Sequence, residues 1–329
     1  MPREGDSCQF FGDVPQAPRR LGVLRIRRTA DQLRLTKTRH LYRESGGVKV
    51  HYRESGVPAS TAVLLLHGSP SSSYSFREVL PALGEHTYVV APDLPGFGFS
   101  DAPPLDEYDY SFDQLSYVIE ALVADLGIEH YVLYVTDFST PVGYLMAMRH
   151  PERVLGLVVQ NGNTHEAGLN EAWDAPRRFW ADPSEENKAG LPEWLNFPGT
   201  RDTYLSGLPQ ELRDLHPRES WHLDWERLSR PGNLDVHFQL FCDYRNHIAR
   251  FGDIVAYHKE HQPPCLVLWG RHDTFFDIAE VMAYHQDLDA VDFHVYNGGH
   301  MLLETHAAEV TELLVTFVGD VLDRTTMRL

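Results

Sequence analysis

Four short segments carry side chains able to do chemistry together, and each follows a run of apolar residues. They are His67-Gly-Ser-Pro70, Val135-Thr-Asp-Phe-Ser139 leading into Thr140-Pro-Val-Gly143, Gly270-Arg-His-Asp273, and Gly298-Gly-His300. Between them they offer carboxylates, hydroxyls and imidazoles. Those are the parts of a nucleophile, a base that takes protons, and a group that orients the base. The parts are far apart in the chain, so the intervening elements must bring them together.

Those elements have a readable rhythm. Tyr42-Arg-Glu-Ser-Gly46 recurs as Tyr52-Arg-Glu-Ser-Gly56, and Val48, Val50 and Tyr52 alternate with polar residues. Period-two alternation around Gly46-Gly47 predicts a β-hairpin. Unbroken apolar runs follow at Ala62–Leu66, Thr87–Ala91, Tyr131–Val135, Val154–Val159 and Cys265–Trp269, with a shorter one at Phe293–Tyr296. Such runs suit strands buried on both faces. Helix-length stretches such as Ser111–Leu126 and Pro141–His150 separate them, which predicts a mostly parallel, doubly wound α/β sheet. The interval 164–262 breaks the rhythm. It holds five of the six tryptophans, many charges, and Pro192, Pro198, Pro209 and Pro217 as breakers. It reads as a helical lid inserted in a core of residues 41–163 and 263–329, behind a basic extension of residues 1–40. Ligands of open α/β sheets sit beyond the carboxyl ends of the strands, so a lid there would close over the site.

The order and spacing of the four segments resemble the α/β-hydrolase family, from about Leu41 to Val321. In that family the nucleophile sits on a sharp strand-to-helix elbow, usually G-x-S-x-G, with small residues on either side because the backbone folds tightly. Aligned on the strand end, Asp137 takes the nucleophile position and Val135 and Ser139 take the glycine positions. Ser139 is the alternative nucleophile, at the cost of extending the strand by two polar residues. A carboxylate here implies displacement at an sp³ carbon and an alkyl-enzyme ester, the chemistry of epoxide hydrolases and haloalkane or haloacetate dehalogenases. The resemblance assigns His300 to activating the water that cleaves the ester and Asp273 to orienting that histidine. Asp277, or a position in Asn161-Gly-Asn163, is the alternative orienter, although neither asparagine can act by charge. Ser69 and Phe138 would supply the two oxyanion-hole N–H groups. The family commonly has a cis proline at the position of Pro70, and His67 reads as structural.

The leaving group divides the branch. Haloalkane dehalogenases typically carry a tryptophan after the nucleophile; here Phe138 has no N–H to offer a halide. The arginine pair of fluoroacetate-type enzymes is missing from the elbow. Epoxide hydrolases typically use two lid tyrosines as acids. Cys242-Asp-Tyr-Arg-Asn246 is similar to their N-W-Y-R-N segment, which points to Tyr244, and Tyr204 stands at a plausible position for the other. The expectation is therefore an epoxide hydrolase, with a haloalkane or haloacid dehalogenase as the alternative. A non-catalytic small-molecule receptor or a natural-product tailoring protein is the reading of another class. Trp173, Trp180, Trp194, Trp221 and Trp225 suggest an apolar or aromatic substrate, with Trp173 and Trp180 as the candidate contacts.

Composition narrows the partners. A formal net charge of -18 over 329 residues argues against nucleic acid, which needs a basic face. No apolar run is long enough to span a membrane. Cys8, Cys242 and Cys265 are scattered and odd in number, which suits a reducing, cytoplasmic setting. His258 and His261 have no convincing third ligand in the sequence, so neither a catalytic metal nor a cofactor is expected. A homodimer is left open.

Overall fold

The computed structural model describes residues 38–326, so the basic extension lies outside the described residues except at its last three positions. The expected hairpin is formed by β1 (Arg39–Ser45) and β2 (Val48–Ser55). Gly46 and Gly47 both have positive φ, 57° and 80°, as a two-residue turn between right-twisted antiparallel strands requires.

Six more strands complete the sheet: β3 (Thr61–Leu65), β4 (Tyr88–Pro92), β5 (His130–Thr136), β6 (Val154–Gln160), β7 (Cys265–Gly270) and β8 (Val291–Tyr296). The spatial order is β1-β2-β4-β3-β5-β6-β7-β8, and every pair from β4 onward is parallel. Successive side chains go to opposite faces. Ala62 and Leu64 of β3 join Val90, Leu133, Leu157 and Val267 in one core. Val63 and Leu65 join Val89, Val132, Val158 and Leu266 in the other. Both faces are covered, which is why these strands read as continuous apolar runs rather than as alternation.

Helices α1 (Val79–Leu83), α2 (Phe112–Asp125) and α3 (Ser139–Arg149) connect the first parallel strands. Helix α2 begins where the Ser111 hydroxyl accepts the Gln114 N–H, a side-chain cap on an otherwise unpaired donor. Its buried stripe is Phe112, Leu115, Val118, Ile119, Leu122 and Val123, at helical spacing. Between β6 and β7 the chain is helical, as expected: α4 (Asp174–Ala181), α5 (Glu185–Ala189), α6 (Phe197–Leu205), α7 (Gln210–Arg213), α8 (Arg218–Leu228), α9 (Asn233–Ala249) and α10 (Phe251–His261). Helix α9 packs on α2, α4 and α8, whereas α10 packs on α3. The chain ends with α11 (Ala279–Asp287), which contacts α10, and α12 (Leu303–Thr326), which contacts α1.

The order β4-β3-β5 means that the chain leaves β3 toward one side of the sheet and later continues on the other. At such a switch point the carboxyl ends of neighbouring strands open a crevice. Ser69, just beyond β3, and Asp137, just beyond β5, lie on its two sides. No helix among the described residues is long and apolar enough to cross a membrane.

Candidate active site

Asp137 has φ 48°, a left-handed conformation that costs energy for any residue with a Cβ. The turn is held by Thr140 N–H donating to the Asp137 carbonyl at 2.9 Å, as helix α3 begins at once. Ser139 is fully buried. Its Oγ donates toward the carbonyls of Leu66 and Thr136, both at 2.8 Å, and accepts the Thr136 N–H at 2.9 Å. A hydroxyl tied to three backbone groups is a fastener for the elbow.

The Asp137 carboxylate meets donors on one side and an imidazole on the other. Ser69 N–H donates to Oδ1 at 2.6 Å, and Phe138 N–H adds a second backbone interaction. The Ser69-Pro70 peptide is cis. Gly68 allows the approach, because a Cβ there would lie 2.5 Å from the Cβ of Asp137. His300 Nε2 stands 3.7 Å from Asp137 Oδ2. Its Nδ1 is 2.9 Å from Asp273 Oδ2, so the Nδ1 proton points to Asp273 and Nε2 is free to accept. Burial pushes the Asp137 carboxyl up, and His300 and the two N–H groups oppose that rise. Burial disfavours the His300 cation, but the Asp273 and Asp137 charges outweigh it and the pKa is raised.

Asp273 is held from several directions. Its Oδ1 accepts the N–H groups of Phe275 and Phe276, at 2.7 and 3.3 Å. Its Oδ2 also accepts Asn161 Nδ2 at 2.8 Å. Asn161 was weighed in the sequence only as a replacement for the aspartate. It stands at φ 41° with its Oδ1 accepting the Gly270 N–H at 3.0 Å, and so fixes the orienting carboxylate instead. An Asn-Gly pair directly after a strand was the available signal. His67 is structural: its Nε2 accepts the Leu94 N–H at 3.0 Å, so Nδ1–H donates to the Gly68 carbonyl.

A cavity of about 410 Å³ opens over Asp137, with Ser69, Phe138 and His300 in its wall. Trp173, Trp194, Phe241, Phe275 and Phe276 add an aromatic portion to the wall. Glu193 and Asp202 also line it, and no arginine or lysine does. Trp173 belongs to the wall while its Nε1 donates to the Phe275 carbonyl at 2.7 Å. Trp180 does not line the cavity; it packs behind, on Trp173 and Phe241.

The two expected tyrosine acids are also outside the wall. Tyr244 is buried, with its ring 5.7 Å from Phe138 and 4.9 Å from Trp173, and its hydroxyl donates to Asn163 Oδ1 at 2.9 Å. Tyr204 is buried and its hydroxyl donates to the Asp224 carboxylate. The physical reason is satisfaction: a buried phenol must find an acceptor, and each has one within the protein. Neither acceptor was visible as a partner in the sequence.

Residues 61–307 match the family model described as alpha/beta hydrolase fold. The chain is 34% identical over 285 residues to the uncharacterized hydrolase YNR064C of Saccharomyces cerevisiae, covering 85% of this chain and 97% of that one. It is 32% identical over 289 residues to a haloalkane dehalogenase of Psychrobacter cryohalolentis, covering 84% and 89%. It is 27% identical over 308 residues to epoxide hydrolase 3 of Xenopus tropicalis, covering 84% and 76%. With its sheet order, its elbow and its histidine all in the places that such a fold requires, the chain belongs to the alpha/beta hydrolase fold family.

Proposed function

We propose that this hydrolase opens an uncharged, apolar substrate at an electrophilic sp³ carbon through the carboxylate of Asp137, with an epoxide as the foremost substrate class. The observation that carries the reading is the identity of the group on the elbow. A carboxylate stands at φ 48° with the Ser69 N–H on Oδ1 and His300 beside Oδ2, while the neighbouring Ser139 hydroxyl is sealed against the backbone.

The steps follow from that placement. Asp137 Oδ2 attacks the carbon, the leaving group departs with the bonding pair, and an alkyl ester of Asp137 remains. His300 Nε2 takes a proton from water, and the hydroxide adds to the ester carbonyl carbon. The negative charge develops on Oδ1, where the Ser69 N–H is already aimed, and the Phe138 N–H supports the same carboxyl. Asp273 stabilises the imidazolium without taking its proton. Collapse expels the alkyl oxygen Oδ2, which takes the proton back from His300 and leaves as an alcohol, and the oxygen of water stays on Asp137. The helical segment 164–262 acts as the lid, supplying Trp173, Trp194 and Phe241 to the wall.

The wall also selects by charge. Glu193 and Asp202 without an arginine or lysine disfavour a carboxylate-bearing substrate, which sets the haloacid branch aside. A haloalkane is the second reading, and one observation favours it. Halide leaves without a proton, and both tyrosine hydroxyls are committed to Asn163 and Asp224. Ring opening, by contrast, needs Tyr244 or Tyr204 to exchange its partner for the leaving oxygen.

The nucleophile is tested by trapping. His300→Gln should gain the full mass of an aryl epoxide, or the alkyl group of a haloalkane that has lost its halide, mapped to Asp137. In wild type, a single turnover in heavy-oxygen water should label Asp137 and leave the product unlabelled. An adduct on Ser139, or full activity in Asp137→Ala, would sink the reading. The leaving group is tested separately. On an epoxide, Tyr244→Phe tests whether the phenol leaves Asn163 for the ring oxygen: a loss of about ten-fold to ten-thousand-fold, the usual span for a general acid, means that it does, and an unchanged rate removes Tyr244 as the acid. Halide release from a haloalkane with no diol from any epoxide would reverse the order of the two readings.

A further inference from the structure

We propose that His165, His258 and Asp287 form a binding site for one divalent transition-metal ion, zinc foremost, where the exit of β6 meets α10 and α11. The sequence offered His258 and His261 without a convincing third ligand. The fold supplies two partners for His258, from positions 93 residues before it and 29 after it by their numbers. One ligand atom from each of the three lies within 4.8 Å of the others.

Each donor is already aimed. His165 Nδ1 is 2.8 Å from Glu280 Oε1, and that carboxylate is held by Thr164 N–H and the Thr164 hydroxyl at 2.6 and 3.0 Å. A buried carboxylate on one ring nitrogen fixes the histidine and leaves the other nitrogen for the ion. That nitrogen, Nε2, lies 2.8 Å from Asp287 Oδ2. His258 is fully buried, and its Nε2 is 2.8 Å from the Tyr144 hydroxyl. Tyr144 donates its own proton toward Tyr284, so His258 Nε2–H donates to Tyr144 and the lone pair sits on Nδ1. That Nδ1 has no hydrogen-bond partner and faces Asp287 Oδ2 across 3.6 Å. Two acceptors thus face each other across 3.6 Å while Oδ2 also takes the His165 Nε2 proton at 2.8 Å, and a cation in place of that proton would satisfy all three atoms.

The donor set suits the ion. Two imidazoles and a carboxylate are zinc ligands, and bonds of about 2.0–2.1 Å place tetrahedral ligand atoms about 3.3 Å apart. The observed 2.8 and 3.6 Å lie on either side of that value. The ion replaces the proton that His165 Nε2 shares with Asp287, and that proton goes to solvent. Water takes the fourth position. Lys259 Nζ lies 3.5 Å from the other oxygen, Oδ1, on an exposed side chain, and leaves Oδ2 to the ion. Bound there, the ion would tie three elements together and stabilise the chain by mass action.

The test uses the whole chain without a histidine tag, cleared of metal by a chelator. Cobalt(II) alone should give the visible absorption of a four-coordinate N/O site at one ion per chain, and zinc(II) should displace it. Titration calorimetry with zinc should show that His258→Gln and Asp287→Asn each weaken binding at least about tenfold. Zinc should raise the melting temperature of wild type and not that of either variant. Absence of stoichiometric binding by wild type, or equal binding by both variants, overturns the proposal and leaves a metal-free ion-pair cluster. Circular dichroism identifies a variant that fails to fold, and the wild-type cobalt spectrum decides the matter without any variant.

Discussion

At the scale of single residues, the site is a set of donors arranged around two carboxylates with different duties. Asp137 has a free oxygen beside His300, whereas Asp273 is saturated by His300, Asn161, Phe275 and Phe276. Asn161→Ala should therefore lower kcat about ten- to a hundred-fold with little change in KM, since a small misplacement of the base is costly. Steady-state kinetics beside the wild type checks it, and an unchanged kcat would show that the backbone N–H groups suffice. For the proposed mechanism the pH dependence has a definite sign. His300 works as a base only when neutral, and its pKa is raised above 6.5, so turnover should fall on the acid side with a midpoint above that value. Asp137 must be ionised to attack, and its pKa is raised from 3.8. Esterification removes the Asp137 charge and leaves Asp273 to hold the imidazolium, so the midpoint for ester hydrolysis should lie below that of the free enzyme. Rapid-quench measurement of adduct and product across pH separates the two steps.

At the scale of elements, the site depends on how close β3, β5 and α12 come. The Gly68 loop after β3 touches the Asp137 elbow after β5 with no room for a methyl group. Gly68→Ala should depress the alkylation step more than substrate binding, because it pushes Ser69 N–H off Oδ1. A burst of normal size and rate would contradict this. Helix α12 follows His300 and is anchored at its start by Glu304, which receives Arg77 at 3.0 and 2.7 Å and the Ser220 hydroxyl at 2.9 Å. Glu304 is buried and Arg77 only partly exposed. Arg77→Ala leaves an unpaired buried carboxylate and should cost about 3 kcal/mol of stability. Denaturant unfolding would read this as a lower midpoint with an unchanged slope.

At the scale of the whole molecule, charge bears on the proposed choice of substrate. The chain carries a net charge of -18, and the cavity adds Glu193 and Asp202 to its wall. For a matched pair of electrophiles differing by one carboxylate, kcat/KM should be at least about tenfold lower for the anion, and salt should narrow the gap. Equal values at low ionic strength would mean that the wall charges do not reach the substrate. The family relation is compatible with more than one leaving group, since one fold hosts several chemistries.

Much of this was legible in the sequence for a physical reason. Strands buried on both faces must be apolar runs, a two-residue hairpin needs residues that tolerate positive φ, and an elbow forces small neighbours around one side chain. These constraints are local, so Ala62–Leu66, Gly46-Gly47 and the segment around Asp137 announce themselves. The order of the segments then sufficed to bring Asp137, Asp273 and His300 together. What only the tertiary structure decided is where buried polar atoms find partners. Tyr244 meets Asn163 across 81 positions, Asn161 meets Asp273 across 112, and His165 meets Asp287 across 122. The cost of leaving such a group unpaired fixes these pairs, and that cost depends on packing that no short stretch of sequence encodes. The phenols therefore turned from the cavity, while a lone buried histidine acquired two neighbours with which it could hold an ion.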